Sequence, residues 1–166
     1  MTPHKLFRRA LAITVMSLAV LTASAQAKKA SAAKPSTEAE FKALIERYYA
    51  AWNMLNTDAP AQFYAKDAGL VFYDITPLKY KGWEEYKAGV QKAFFDQMSS
   101  GKLVPNDDLQ VVRRGNVAWT TLTFHLSAKL KSGAAMEIDA RHTAIWEKRG
   151  GKWLVVHEHV SAPLPG

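Results

Sequence analysis

The stretch WEKRGGKWLVVHEHVSAP, Trp146 to Pro163, places His157, Glu158 and His159 inside an apolar run that follows a glycine turn. In an extended chain Leu154, Val156, Glu158 and Val160 share one face, and Trp153, Val155, His157, His159 and Ser161 share the other. A bulge near the strand end would exchange the two sets. A carboxylate enclosed by apolar side chains is desolvated and becomes a proton acceptor or donor near neutral pH, which is one chemistry open to Glu158. At a solvated edge the same residue would instead pair with Arg141 or Lys129. His157 and His159 offer two nitrogens from one strand, half of a metal site, so a hydrogen-bonded pair at a sheet interface is the favoured reading and no metal is assigned.

Three further positions carry titratable groups in apolar settings. Asp74 lies in LVFYDI just before Thr76-Pro77, where its carboxylate either has a shifted pKa or caps the turn that follows. His142 alternates with Ala140, Ala144 and Trp146, which makes it an inward histidine, catalytic or simply a satisfied core residue. His125 alternates with Trp119, Thr121 and Thr123 and is read the same way. The chain has no cysteine, hence no thiol nucleophile and no disulfide. It has no glycine-rich phosphate loop, no G-x-S-x-G and no H-E-x-x-H, so nucleotide, acyl-enzyme and such metalloprotease chemistries are disfavoured and no cofactor is expected.

The elements that must position these groups follow from periodicity. Thr37-Glu38-Ala39-Glu40 fits a capping box, and Phe41, Leu44, Ile45, Tyr48, Trp52 and Leu55 recur at helical spacing, which predicts a helix over about 37–56. Asp58 is expected to cap a second short helix through Tyr64, with Pro60 in its first turn. Leu70 to Ile75 reads as a strand. Trp83, Tyr86, Val90, Phe94 and Met98 predict a third helix after Gly82, with Gly101 just past its end. From Leu109 onward, 109–114, 117–130, 135–148 and 152–162 read as strands joined by tight turns, an antiparallel meander. Helices first and a sheet afterwards is an α+β pattern in which the helices cover one face.

The N-terminal residues read as a leader. Lys5, Arg8 and Arg9 precede an apolar run and then Ala25-Gln26-Ala27, the three parts of a signal peptide with its cleavage site over 1–27. The run of about 14 residues is short of the roughly 20 needed to span a bilayer. Residues 28–36 read as a flexible linker and 37–166 as one domain, expected to be periplasmic or secreted, with no membrane association after cleavage. The net charge of +7 divides unevenly. Six of the 22 basic residues precede Thr37, which leaves 16 against 15 acids in the domain. A near-neutral domain has no field to gather phosphates, so nucleic-acid binding is not expected.

This order of helices and long strands resembles the nuclear transport factor 2-like superfamily, also called SnoaL-like or ketosteroid-isomerase-like. The ending Thr143-Ala144-Ile145-Trp146, Gly150-Gly151-Lys152-Trp153 and His157-Glu158-His159-Val160-Ser161-Ala162-Pro163 is similar to the end of the association domain of calcium/calmodulin-dependent protein kinase II. The resemblance implies a cone, a strongly bent antiparallel sheet around a pocket that the N-terminal helices close (a cystatin-like α+β barrel). It implies homo-oligomers, with a dimer through the outer sheet face as the expected state. Ala144, Val160 and Thr123 stand where the kinase domain has pocket arginines, so an arginine-lined anion site is not expected. If Val160 keeps its pocket-facing position, Glu158 faces the cavity. Tyr49 and Trp52 resemble the helix aromatics that shape pockets in this superfamily.

Function is therefore left between classes. As a binding module, the domain would hold a small apolar or semi-polar molecule, with Tyr49, Trp52, Tyr73, Trp119, Thr123, His125 and Trp146 as contact residues. As a cofactor-free isomerase, dehydratase or cyclase, it would move a proton with Asp74 or Glu158 while His142, His125 or Tyr49 supported the developing charge. A scaffold that only oligomerises would have a filled cone.

Overall fold

The computed structural model describes residues 35–164, so the leader at 1–27 and most of the linker at 28–36 lie outside it. Helix α1 spans Thr37–Trp52 and buries Phe41, Leu44, Ile45, Tyr48, Tyr49 and Trp52 along one stripe. Its N-cap is Ser36, whose hydroxyl accepts from the Ala39 amide, one residue before the predicted capping box. Glu40 is thereby free to reach the sheet, where it accepts from Trp153 Nε1 at 2.8 Å, Lys148 at 3.2 Å and Arg113 at 3.2 Å. These contacts, the Trp153 bond foremost, hold the Glu40 carboxyl below its usual range. They tie the first turn of α1 to the strands that carry the site.

The second expected helix is a 3-10 turn, Pro60–Phe63. Asn56, not Asp58, bonds the chain into it, accepting from the Asp58 and Ala59 amides. Strands β1 (Val71–Tyr73) and β2 (Tyr80–Lys81) form a short ribbon before helix α2 (Gly82–Ala93). The helix predicted to run to Met98 stops at Ala93. A 3-10 turn, Phe95–Gln97, follows, and then β3 (Met98–Pro105) pairs antiparallel with β5. Phe94 and Met98 keep helical spacing without a helix, because Met98–Pro105 has a long strand to pair with. Gly101 therefore lies inside β3 rather than beyond a helix end.

Strands β4 (Gln110–Arg114), β5 (Val117–Leu130), β6 (Ala135–Arg149) and β7 (Lys152–Ser161) match the predicted meander. The sheet order is β2-β1-β7-β6-β5-β3, and β4 also pairs with β5. Two expectations are corrected here. The sheet is mixed, because β1 runs parallel to β7 with Phe72 opposite Glu158. It is curved but open, neither a closed barrel nor a strongly curled cone. Its β2 and β3 edges do not pair with each other, and β3 and β4 divide the length of β5 between them.

The core lies between the inner sheet face and the helices. Ala118, Ala140 and Ala144 are at most 2% exposed and leave room for the aromatic stripe of α1. Trp146 is fully buried, edge-on to Phe41 and Tyr48, and its Nε1 donates to Thr120 Oγ1 at 2.9 Å. Under α2, Gly89 is pressed against the Tyr80 ring, where an added Cβ would stand 2.0 Å from Tyr80 Cε1. Gly89→Ala would gain about 1 kcal/mol of helix propensity in an open site. Here overpacking costs roughly 1–3 kcal/mol and dominates. The variant is therefore expected to melt at lower temperature than the parent in a calorimetric scan, and an unchanged or higher Tm would contradict that packing.

Candidate functional site

Glu158 is 2% exposed and stands at the centre of a buried polar cluster. A register shift places it there. β6 pairs Ile145 with His157 and then Trp146 with Val155, so Val156 is an unpaired extra residue. The bulge changes strand parity. Trp153 and Val155 face the core before it, Glu158 and Val160 after it, and Leu154 and Val156 do not share their face as simple alternation predicts.

Three elements each contribute one phenol to this carboxylate. Tyr48 of α1 donates to Oε2 at 2.9 Å, Tyr64 after the 3-10 turn donates to Oε2 at 2.5 Å, and Tyr86 of α2 donates to Oε1 at 3.0 Å. Tyr48 and Tyr64 are also 2.6 Å apart. Burial, and then the charge of Glu158, push all three phenols well above their ordinary pKa, so they stay protonated as donors. The reading of Glu158 as an edge residue paired with Arg141 or Lys129 is corrected: its partners are tyrosines, and two helices cover it.

His142 of β6 is also 2% exposed, and its ring stacks on Tyr48 with centroids 5.5 Å apart. Nδ1 lies 3.0 Å from the Tyr49 hydroxyl. Nε2 has no hydrogen-bond partner among the described residues and is 3.8 Å from Glu158 Oε1. Burial pushes the His142 pKa down, against the opposing pull of Glu158, which favours the neutral ring.

Glu158 and His142 line a cavity of about 70 Å³ together with Tyr48, Tyr49 and Asp74. The rest of its lining is largely apolar, including Trp52, Val90, Phe94, Phe95, Phe124 and Leu126. Asp74 and Ile75 line this cavity and also an outer groove of about 600 Å³ with Leu78 and the chain from His159 to Leu164. Desolvation pushes the Asp74 carboxyl up to about 7, the Ile75 amide opposes this, and the charge of Glu158 adds to it. The Ile75 amide bond, 2.7 Å to Oδ1, is also the local turn contact expected of this aspartate.

The structure thus brings Asp74, His142, Glu158, Tyr49 and Trp52 around one cavity. Five other candidates lie elsewhere. Ala118, Thr120, Leu122, Phe124 and Leu126 face the core, so the alternate residues Trp119, Thr123 and His125 face outward. The expectation that His125 points inward is corrected, since its parity on β5 is that of Trp119, which is 40% exposed. His125 sits between Asp139 and Glu137, each at 2.8 Å, and these bonds raise its pKa. Thr123 bonds Asp108 at 2.7 Å. Tyr73 is on the outer side, edge-on to His157 and His159. His157 Nδ1 donates to the Val71 carbonyl at 2.8 Å. Trp146 faces inward but is core, held by Thr120 rather than open to the cavity.

Sequence reasoning did not assemble Tyr48, Tyr64 and Tyr86 around Glu158. A signal existed, because a buried tyrosine needs a polar partner for its hydroxyl, and Tyr48 and Tyr86 both stand in apolar helical stripes.

A model of the SnoaL-like domain matches residues 41–165. This chain belongs to the SnoaL-like domain family. The SnoaL-like fold also relates it to solved structures. A nuclear transport factor 2-like superfamily protein from Salmonella enterica superposes with a TM-score of 0.70 at 19% identity, covering 77% of this chain and 92% of that one. A Xanthomonas campestris protein provisionally assigned as a calcium/calmodulin-dependent protein kinase II association domain gives 0.66 at 25% identity, covering 78% and 89%. An NTF2-like protein of unknown function from Pseudomonas putida gives 0.62 at 29% identity, covering 80% and 92%. No curated protein matches the sequence of this SnoaL-like chain.

Proposed function

We propose that this SnoaL-like domain is an exported, dimeric small-molecule binder, whose ligand lies in the cavity with a polar group against Glu158 and His142 and an apolar body against the aromatic wall. The observation that carries the reading is that His142, whose buried Nε2 has no partner among the described residues, and the adjacent carboxylate of Glu158 both line a largely apolar cavity. Leaving a polar atom buried without a partner costs about 1–3 kcal/mol, which a ligand group placed there recovers. A filled cone was the expectation of the scaffold reading, and the open cavity weighs against it. Export rests on the leader pattern alone, and dimerisation on the family resemblance alone.

Native mass spectrometry of the protein purified from its own host tests this proposal. The expected result is a dimer carrying a small organic mass. A larger ring with nothing bound would favour the scaffold, and one metal per chain would overturn the hydrogen-bonded reading of His157 and His159.

One observation favours a second reading, acid-base catalysis: Asp74, raised to about 7, lines the same cavity as Glu158 and His142. A carboxylate that titrates near the working pH is suited to proton transfer. Solvent deuterium would then enter the carbons flanking the carbonyl of a ketone probe such as cyclohexanone, faster at pH 8 than at pH 6, and Asp74→Asn would lose the acceleration. Exchange at the buffer rate at both pH values would remove the enzyme reading for such ketones.

A further inference from the structure

The hydrogen-bond inventory around the cavity specifies which polar group it takes. This step rests on the proposed binding function and narrows its ligand class. The phenolic hydrogens of Tyr48, Tyr64 and Tyr86 have Glu158 as acceptor. Tyr49, 3% exposed, has His142 Nδ1 as its one hydrogen-bond partner among the described residues. A buried phenol donates where an acceptor is available. Donation from Tyr49 to Nδ1 leaves the proton of the neutral imidazole on Nε2. Among the residues lining the cavity, His142 therefore carries an N–H donor at Nε2, 3.8 Å from a carboxylate acceptor, Glu158 Oε1.

A single oxygen about 2.9 Å from each atom closes the triangle over that gap. To satisfy both, the oxygen must accept one hydrogen bond and donate another. An alcohol or enol hydroxyl does this. A ketone accepts from Nε2 and offers nothing to Oε1. A ligand carboxylate would stand beside the buried Glu158 charge, and an ammonium would set a donor against the N–H of His142. We infer that the cavity selects neutral, hydroxyl-bearing molecules, with the hydroxyl held between His142 Nε2 and Glu158 Oε1 and the hydrocarbon part on the aromatic wall.

The test uses ¹⁵N-labelled protein and four probes of one shape: cyclohexanol, cyclohexanone, cyclohexylammonium and cyclohexanecarboxylate. Long-range ¹H–¹⁵N spectra of the unliganded protein are expected to show His142 protonated at Nε2 and bare at Nδ1. Tyr49→Phe, which removes the donor to Nδ1, is expected to give a mixture of the two tautomers. Titration followed at the His142 resonances is expected to show cyclohexanol binding at least ten-fold more tightly than cyclohexanone, with no saturable shift from the two ions. That difference follows from the hydrogen bond to the charged acceptor, which the hydroxyl donates and the ketone cannot.

An Nδ1–H tautomer in the parent protein would overturn the inference. Equal binding of the alcohol and the ketone would overturn hydroxyl selection and leave the binding reading intact. No shift with any probe would overturn both, with water alone then serving the Nε2–H.

Discussion

Replacing Glu158 by alanine is expected to lower the unfolding free energy by roughly 2–4 kcal/mol. The carboxylate is the common acceptor of Tyr48, Tyr64 and Tyr86, and each buried hydroxyl left unpaired costs about 1–3 kcal/mol. Tyr48 and Tyr64, 2.6 Å apart, can bond each other after the change, so the stranded group is chiefly Tyr86. Removal of a buried charge offsets part of the loss, and the cavity left by the side chain adds to it. Glu158→Gln keeps the volume and one carbonyl acceptor, and is expected to lose less than half as much. Denaturant unfolding at neutral pH measures all three proteins. If Glu158→Ala unfolds within 1 kcal/mol of the parent, the three phenols do not depend on this carboxylate.

The second large effect is a stability that falls as pH rises, caused by Asp74. Its carboxyl titrates near 7 in the folded protein against an ordinary value of 3.8. Between those values the folded state holds a proton that the unfolded state has lost, so stability declines through this window and levels off above it. The full shift corresponds to about 4 kcal/mol. Asp74 is partly exposed, and screening reduces the effect to roughly 2–3 kcal/mol. Asp74→Asn keeps an oxygen for the Ile75 amide and removes the titration. The variant is expected to match the parent near pH 4 and to exceed it by that amount at pH 8, in parallel denaturant titrations. A constant difference between the two proteins across that range would mean that Asp74 titrates normally. A group that lowers stability at neutral pH while facing a cavity is the kind of cost retained at functional sites.

Much of the architecture was legible because its cause is local. Glycine turns at Gly115, Gly133, Gly150 and Gly151, all at positive φ, divide the C-terminal half, and alternation within 117–130 and 135–149 separates core from surface residue by residue. On β6, which keeps its parity because the register shift at Ile145/Trp146 adds its extra residue to β7, alternation placed His142 inward, as observed. On β5 alternation is equally regular, yet the expected inner face, that of Trp119, Thr123 and His125, is the outer one. A period of two fixes which residues share a face, and packing against other elements fixes which face is covered. In the segment after α2, Phe94 and Met98 are consistent with either a helix or a turn and strand. The partner β5, far along the chain, decided it.

For the site the division is the same. The sequence by itself determined that His142 and Asp74 have apolar neighbours along their strands, that no thiol or phosphate-loop motif is present, and that helices precede a long-stranded sheet, while it left Glu158 between an enclosed and an edge position. Only the tertiary structure decided that Val156 bulges and turns Glu158 inward along with Val155, and that β1 joins β7 in parallel. It also brought Tyr48, Tyr64 and Tyr86 from three elements onto one carboxylate and left His142 Nε2 without a partner. Periodicity reports on neighbours within one element. A buried polar cluster is set by register between strands and by which phenols the helices carry to the same point, and both depend on contacts between residues about 70 to 110 positions apart.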